Sequence, residues 1–512
     1  MNIPIPIIDI FAGPGGLGEG FSSAKSENGE HLFKIKLSIE KDKFAHQTLE
    51  LRAFYRQFTG RTTPFEYYEY LRGNISRDDL FKKYEVEALN AKSEAWQATL
   101  GEIENDLVDS RIVTSLNGAS NWVLIGGPPC QAYSLIGRAK IRGEDKKKEE
   151  NERTFETDHR HFLYKEYLRI LAVHQPLVFV MENVKGLLSA EVKQQKTFDQ
   201  ILSDLQNPKI AIGDTFEPSL FYILFSISKE RSKKTDKTKP TDYIVRSEEY
   251  GIPQSRHRII ILGIRSDIFK SNPKILTKQT QVSINDVIED LPKLRGGLSK
   301  QVDSAEEWRD AVKAIAKAKW LESVSSPLRN LILRNIRKVR ADLTRGQHFM
   351  TLTGTPKKYS DWYVDETLAG VCNHESRGHI YDDLHRYFFS AAFAKQNHRS
   401  PYLNDFPREL LPNHKNVSDG SKFTDRFRVQ VRGKPSTTVV SHISQDGHYY
   451  IHYDPSQCRS LTVREAARLQ TFPDNYFFEG HRTDQYRQVG NAVPPLLAYQ
   501  IAKIVADVLS IR

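Results

Sequence analysis

The stretch Gly126-Gly127-Pro128-Pro129-Cys130-Gln131 constrains this chain more than any other. It follows the apolar run Trp122-Val123-Leu124-Ile125, which reads as a short buried strand. Two glycines and two prolines then stop the strand and leave a stiff loop at its end. Strands that end in this way belong to open α/β sheets, whose ligands bind at the carboxyl edge. The loop displays a single cysteine there, so Cys130 is a candidate covalent nucleophile. A lone cysteine beside a turn is more commonly buried and inert, and residues elsewhere must decide between the two.

Ile7-Ile8-Asp9-Ile10-Phe11 reads as the first buried strand and runs into Ala12-Gly13-Pro14-Gly15-Gly16-Leu17-Gly18. Gly13, Gly15 and Gly18 satisfy G-x-G-x-x-G after a strand, with a helix beginning inside the motif. Such glycines let the backbone approach a nucleotide-like cofactor closely. A second apolar run, residues 33–39, ends in Glu40, where an acid commonly takes ribose hydroxyls. A dinucleotide or S-adenosylmethionine would suit the pair. Residues 44–120 look mostly helical, and Gly73-Asn74-Ile75 is expected either to end a third strand beside an adenine ring or to form a simple turn.

Residues 161–174 have helical periodicity, and 177–180 form another buried strand that leads into Met181-Glu182-Asn183-Val184. A carboxylate at the end of an apolar strand is costly to bury unless it is paired or working. Runs at 221–225 and 243–245 predict a hairpin split by the basic insert 231–239. Gln254-Ser255-Arg256-His257-Arg258 enters the strand 259–263, and residues two apart share a face. Lys146-Lys147-Lys148-Glu149-Glu150 reads as a solvated loop, with a phosphate-meeting lid as the sharper alternative.

From about residue 276 the regular alternation fades. Residues 305–340 are helix-rich and basic, 374–395 look helical, and 427–431 and 437–442 suggest short strands. Thr462 and Glu465 form a capping box for a helix starting at Val463. Asn491 precedes a last apolar helix over 496–509, as an ordinary cap or as a cofactor contact.

A chain of 512 residues can bury a large core and form more than one domain. The hydrophobic share of 39% and the charged share of 27% suit a soluble globular protein. Basic residues exceed acidic ones by 74 − 64 = 10. With a pI near 9.1, that excess favours a polyanionic partner, most simply nucleic acid. Cys130, Cys372 and Cys458 cannot make a disulfide framework and point to a reducing cytoplasm. Cys372 with His374 and His379 lacks a fourth ligand, so no metal is expected. The N-terminus breaks on Pro4 and Pro6 without a basic region, unlike a signal peptide, and no apolar run reaches membrane-spanning length.

Six segments together resemble the bacterial DNA (cytosine-5) methyltransferases, in that family's order. They are Phe11-Ala12-Gly13-Pro14-Gly15-Gly16, Pro129-Cys130-Gln131, Glu182-Asn183-Val184, Gln254-x-Arg256-x-Arg258, the helix from Arg464 through Gln470, and Gly490-Asn491-Ala492-Val493-Pro494. The resemblance implies a Rossmann-like class I S-adenosylmethionine-dependent methyltransferase fold. A catalytic domain of residues 1–275, completed by 485–512, would carry a smaller target recognition domain and hinge at 276–484.

S-adenosylmethionine would be held by Phe11, Ala12, Gly13, Pro14, Gly15, Gly16, Glu40, Ile75, Pro129, Asn491 and Ala492. Cys130 would add to C6 of a flipped cytosine, and Glu182, its pKa raised by burial, would serve N3. Arg258 would meet O2, with Arg256 and Asn183 bracing the pocket. Gln131, Ser134 and Gln254 are expected at the DNA. The implied partner is duplex DNA, bound by a monomer in company with a cognate restriction endonuclease. Two departures stand out: Asn74 replaces the acid expected in the third strand, and the gap between Glu40 and Cys130 is unusually long.

A tRNA cytosine-5 methyltransferase is chemically nearest among the alternatives, although no second cysteine stands near Glu182. A nicotinamide-dependent oxidoreductase would explain the glycine loop but leave Cys130, Glu182 and Arg258 without work.

Overall fold

The structure, a computed structural model, describes residues 3–60, 62–128, 159–188, 192–213, 220–230, 239–352, 354–412 and 424–511. Pro129, Cys130, Gln131, Ser134 and the charged loop at Lys146 lie outside the described residues.

Strands β1 (Ile5–Ile10), β2 (Phe33–Glu40), β3 (Ala95–Gln97), β4 (Val123–Gly126) and β5 (Val178–Val184) form a parallel sheet in the order 3-2-1-4-5. Later in the chain come β6 (Tyr222–Ser226), β7 (Ile244–Arg246), the two-residue β8 (Gln254–Ser255) and β9 (His257–Arg265). β9 runs antiparallel to β5. β6 and β7 do not form the expected hairpin. They lie end to end on the far side of β9, with Tyr222 opposite Arg265 and Ile244 opposite Ile259. The nine residues of β9 are long enough to hold both strands, and only tertiary pairing could reveal this.

The period of two in the strands gives the sheet two apolar faces. On one, α1 (Gly16–Ser22) and the last helix pack Leu17, Phe21, Leu497, Ile501 and Val505 against Ile7, Ile125, Val180 and Ile260. On the other, Ile112, Tyr167 and Leu171 cover Ile8, Ile10, Leu124, Phe179 and Ile261. The last helix begins at Pro495, so Asn491 does not cap it and instead ends the preceding helix, Arg482–Asn491. Gly16 and Gly20 set the approach of α1 to the last helix. A Cβ on Gly16 would sit 2.1 Å from Val493 O, and one on Gly20 would sit 2.4 Å from Pro495 O.

The third strand is also not where the sequence suggested. Helices α2 (Lys43–Arg56), α3 (Phe65–Arg72), α4 (Arg77–Lys83) and α5 (Glu85–Glu94) intervene before β3. Gly73 ends α3 with a φ of 83°, and Ile75 packs against the helical cluster of Phe54, Tyr67, Leu71 and Leu80. That cluster also takes in Leu368, Cys372 and Phe477, and Glu479 accepts from Arg77 Nη1 at 2.8 Å and Tyr70 Oη at 2.7 Å. The extra residues thus tie the sheet to the second half of the chain.

In that half, Trp308, Ile332, Tyr387 and Phe388 form a core from helices Ala305–Lys313, Ser326–Ile336 and Tyr381–Asn397. The helix expected over 374–395 begins only at Tyr381, because Gly370–Glu375 pairs antiparallel with Gly346–Thr351. Residues 427–431 contribute a single bridge, Val429 to Ile451, rather than a strand, and Ser436–Thr437 pairs with β8. Cys372 is buried, which pushes its thiol up to about 12, while His374 sets its ring nitrogens 2.9 Å from Thr462 Oγ1 and Pro292 O. The capping box at Thr462 and Glu465 is present. Among the described residues no helix is long and apolar enough to cross a membrane.

Asp9, in β1, is fully buried, and neither carboxyl oxygen has a hydrogen-bond partner among the described residues. Burial raises it to about 8, Arg56 opposing and Glu40 adding repulsion. The folded state therefore holds a proton that the unfolded state releases near its ordinary 3.8. That contribution is complete below the unfolded value and is lost as pH rises toward 8, by about 1.4 kcal/mol per unit. Asp9→Asn is expected to remove this slope. The urea midpoint of the variant relative to wild type should rise between pH 6 and 8, and a constant difference would refute the assignment.

Candidate active site

The strand order reverses between β1 and β4, and a crevice of about 410 Å³ opens there at the carboxyl ends of the strands. Phe11 leaves β1 with a φ of 56°, a left-handed conformation that bulky residues adopt where surrounding structure compels it. Glu40 ends β2. Its Oε2 accepts from the Gly13 N–H and its Oε1 from the Asp42 N–H, both at 2.8 Å. A carboxylate oxygen can accept more than one hydrogen bond, so Glu40 keeps capacity for ligand hydroxyls. Burial raises its carboxyl above the ordinary range, and the two backbone donors offset part of that.

Phe11, Gly13, Pro14, Glu40 and Asn491 line the crevice. Ala12, Gly15, Gly16, Ile75 and Ala492 do not line it. The Ala12 N–H donates to Ile39 O, Gly15 faces Leu49 and Tyr476, and Gly16 faces Val493. Ile75 lies in the helical insert, and Ala492 is buried with its carbonyl on Gln470. Gly18 lies over Asp9, where a Cβ would stand 3.1 Å from Oδ2. Its place in the glycine motif serves helix–strand packing.

The other half of the crevice holds Gly127, Pro128, Glu182, Asn183, Arg256 and Arg258. Glu182 Oε1 is 2.9 Å from Arg258 Nε, but that N–H is poorly aligned, so the pair is held by charge. Asn183 ties the cysteine loop to β5: its Nδ2 donates to Pro128 O at 3.1 Å while its Oδ1 accepts from the Val184 N–H. Arg256 turns away from the pair. Its Nη1 donates to Val439 O at 2.8 Å and Gly490 O at 3.3 Å, and burial, with repulsion from Arg258, lowers its guanidinium.

Gln254, expected at the DNA, is fully buried. Its amide donates to Leu469 O and Gln470 Oε1 and accepts from the Val439 N–H, so it has no surface to offer a ligand. Nucleophile candidate Cys130 stands two positions beyond Pro128 in sequence, outside the described residues.

Sequence reasoning missed Ala98, Thr99 and Leu100, which follow β3, and Ser441, Asp484, Arg487 and Gln488, which close the crevice from the second half. A three-residue strand gives no periodic signal. Asp42 was legible as a helix cap, and its Oδ1 accepts from the Phe44 and Ala45 N–H groups.

A parallel sheet whose strand order reverses beside this crevice is a Rossmann-like arrangement. The family model for C-5 cytosine-specific DNA methylases matches residues 84–209 and 240–506. Type II methyltransferase M.Bpa9945I of Bacillus paralicheniformis is 34% identical, over 98% of this chain and 99% of its own. Type II methyltransferase M.DdeI of Desulfomicrobium norvegicum is 26% identical over 97% and 87%, and DNA (cytosine-5-)-methyltransferase M.ApeKI of Aeropyrum pernix 28% over 77% and 83%. The chain belongs to the C-5 cytosine-specific DNA methylase family and is a DNA (cytosine-5) methyltransferase of bacterial type.

A methyl group on Gly127 would stand 2.8 Å from Glu182 Oε2. The same methyl would lie 3.3 Å from the Glu182 backbone oxygen, so Gly127→Ala is expected to displace the carboxylate and lower kcat at least about tenfold, with a smaller loss in melting temperature. Single-turnover methylation of DNA checks this, and an unchanged rate would mean that Glu182 is not needed in its observed position.

Proposed function

We propose that the crevice brings S-adenosylmethionine and an extruded cytosine of duplex DNA together, and that Cys130 adds covalently to C6. The observation that carries this reading is the convergence of Glu182, Arg258 and the backbone leading to Cys130 on the same crevice as Phe11 and Glu40.

The residues suit the cofactor. Gly13 leaves open space, since a Cβ there would meet nothing within 4 Å, and Glu40 offers a half-satisfied carboxylate beside it. Phe11 and Asn491 complete the lining. When bound, S-adenosylmethionine would supply an electrophilic methyl group. Cytosine C5 is a poor nucleophile by itself. Addition of the Cys130 thiolate to C6 forms a C–S bond and moves the ring electrons toward C5, with charge appearing on the N3 and O2 side. Glu182 meets that charge with a proton or hydrogen bond at N3, Arg258 contacts O2, and Asn183 and Arg256 hold the two flanking segments in place. Loss of the C5 proton then expels the thiolate. The target atom is stacked inside the duplex, so the base must rotate out to reach Cys130.

Residues 276–484 would act as the target recognition part. The named type II relatives favour a role in restriction and modification, beside a cognate endonuclease, for a monomer working in the cytoplasm. The tRNA alternative predicts a different substrate. Incubation of the full chain with labelled S-adenosylmethionine, duplex DNA and tRNA is expected to label C5 of cytosine in DNA. Label in tRNA alone would overturn the proposal.

A further inference from the structure

A second cavity, of about 630 Å³, opens in the other half of the chain. It lies between the ends of helices Ser326–Ile336 and Tyr381–Asn397 and the loops near 292, 432 and 454. No residue lines both this cavity and the catalytic crevice.

Its lining includes one tight ion pair and the carboxylates of Glu289 and Asp454. Arg459 reaches both oxygens of Glu465, Nη1 to Oε2 at 2.8 Å and Nη2 to Oε1 at 2.7 Å. Burial pushes the His452 ring down to about 4, leaving it uncharged, and the Tyr453 ring stacks on it with centroids 4.4 Å apart. The mouth is cationic. Lys293, Lys338, Lys395 and Arg432 converge on it. Arg432 is spoken for by Glu289, which also takes Lys357, and Lys293 has Asp454 at 3.6 Å.

Lys338 and Lys395 have no carboxylate within ion-pair distance among the described residues, and Lys395 donates only to Asn335 Oδ1, at 3.2 Å. Burial pushes the Lys395 ammonium down, Asp454 opposing, and Lys338, Arg432 and Lys293 add like-charge repulsion. Lysines near helix C-termini are common because they complement the macrodipole. That preference does not explain why Lys395, in the last turn of one helix, and Lys338, two residues beyond the end of another, line the same aromatic-walled cavity. Basic side chains outnumber carboxylates in this lining, and a concave site with an excess of one sign of charge concentrates the opposite ion.

We propose that this cavity binds a phosphate group, with Lys338 and Lys395 as its charged ligands and Tyr453 as the flat wall beside it. The volume suits a mononucleotide. The phosphate could come from the backbone of bound DNA or from a free nucleotide, and the proposal is independent of the chemistry in the catalytic crevice.

Two probes separate the sources: adenosine 5′-monophosphate by calorimetry, and the salt dependence of binding to non-specific duplex DNA, both with the full chain. A free-nucleotide site predicts that wild type binds the monophosphate and that Lys338→Gln/Lys395→Gln weakens it at least about tenfold with no change in the DNA salt slope. A backbone site predicts that the same variant flattens the slope by about 1 to 2, at roughly 0.9 per phosphate contact. Lys338→Arg/Lys395→Arg should restore either property. Lys313→Gln/Lys317→Gln, which removes equal charge elsewhere, should leave both unchanged. If the double glutamine variant melts early, its two single variants carry the comparison. Monophosphate affinity and salt slope equal to wild type, or a control pair with the same effect, would overturn the proposal.

Discussion

Cys130→Ser is expected to reduce methylation by on the order of 10⁴-fold or more and to abolish the denaturation-resistant adduct with 5-fluorocytosine DNA. The reason is chemical rather than steric. A thiol supplies an appreciable thiolate fraction near neutral pH and a soft nucleophile, whereas a serine hydroxyl supplies neither without an adjacent base. The groups around the crevice are already committed. Asn183 holds Pro128 O, Glu182 pairs with Arg258, and Arg256 spans Val439 and Gly490. Among the described residues no histidine lines the crevice to activate a hydroxyl. DNA binding should be retained, because this substitution leaves every phosphate contact in place. A serine variant that still forms the adduct would remove Cys130 from the mechanism.

The second large effect concerns stability. Arg468 lies in the short helix Val463–Leu469 and is fully buried. Its Nε and Nη2 donate to the two oxygens of Asp474 at 2.9 and 2.8 Å, and Nη1 donates to Asp290 at 2.7 Å and to Val287 O. Arg468→Met keeps much of the volume but leaves Asp290 without a cation among the described residues and Asp474 with only Arg464, 4.0 Å away. Breaking a buried pair from one side costs about 3–5 kcal/mol, and here two acids lose one partner. The urea midpoint should fall accordingly, and the Asp290→Asn/Asp474→Asn/Arg468→Met triple variant should recover part of the loss. A midpoint within experimental error of wild type would show that the acids find other partners.

Much of the site was legible before folding was considered. Glycine and proline at strand ends, an acid ending β2 and a carboxylate near the end of β5 are local signals, and each stands at the same sheet edge. Residues whose work is to join distant segments were misread. Gln254 looks like a surface glutamine in sequence, yet it secures residues 439, 469 and 470. Ile75 sits where a third strand was expected, and four helices had moved that strand to Ala95–Gln97. Gly15 and Gly16 carry a cofactor pattern but serve contacts to Tyr476 and Val493, more than 450 positions away.

The sequence alone determined the alternating strand and helix plan, the glycine and proline loops and the candidate residues of the site. These follow from hydrophobic period and backbone stereochemistry, which act over a few neighbours. Only the tertiary structure decided that β6 and β7 share one side of β9, that Glu182 meets Arg258, and that Lys338 and Lys395 line one cavity. Those outcomes depend on which segments pack together, and no window of a few residues contains both partners.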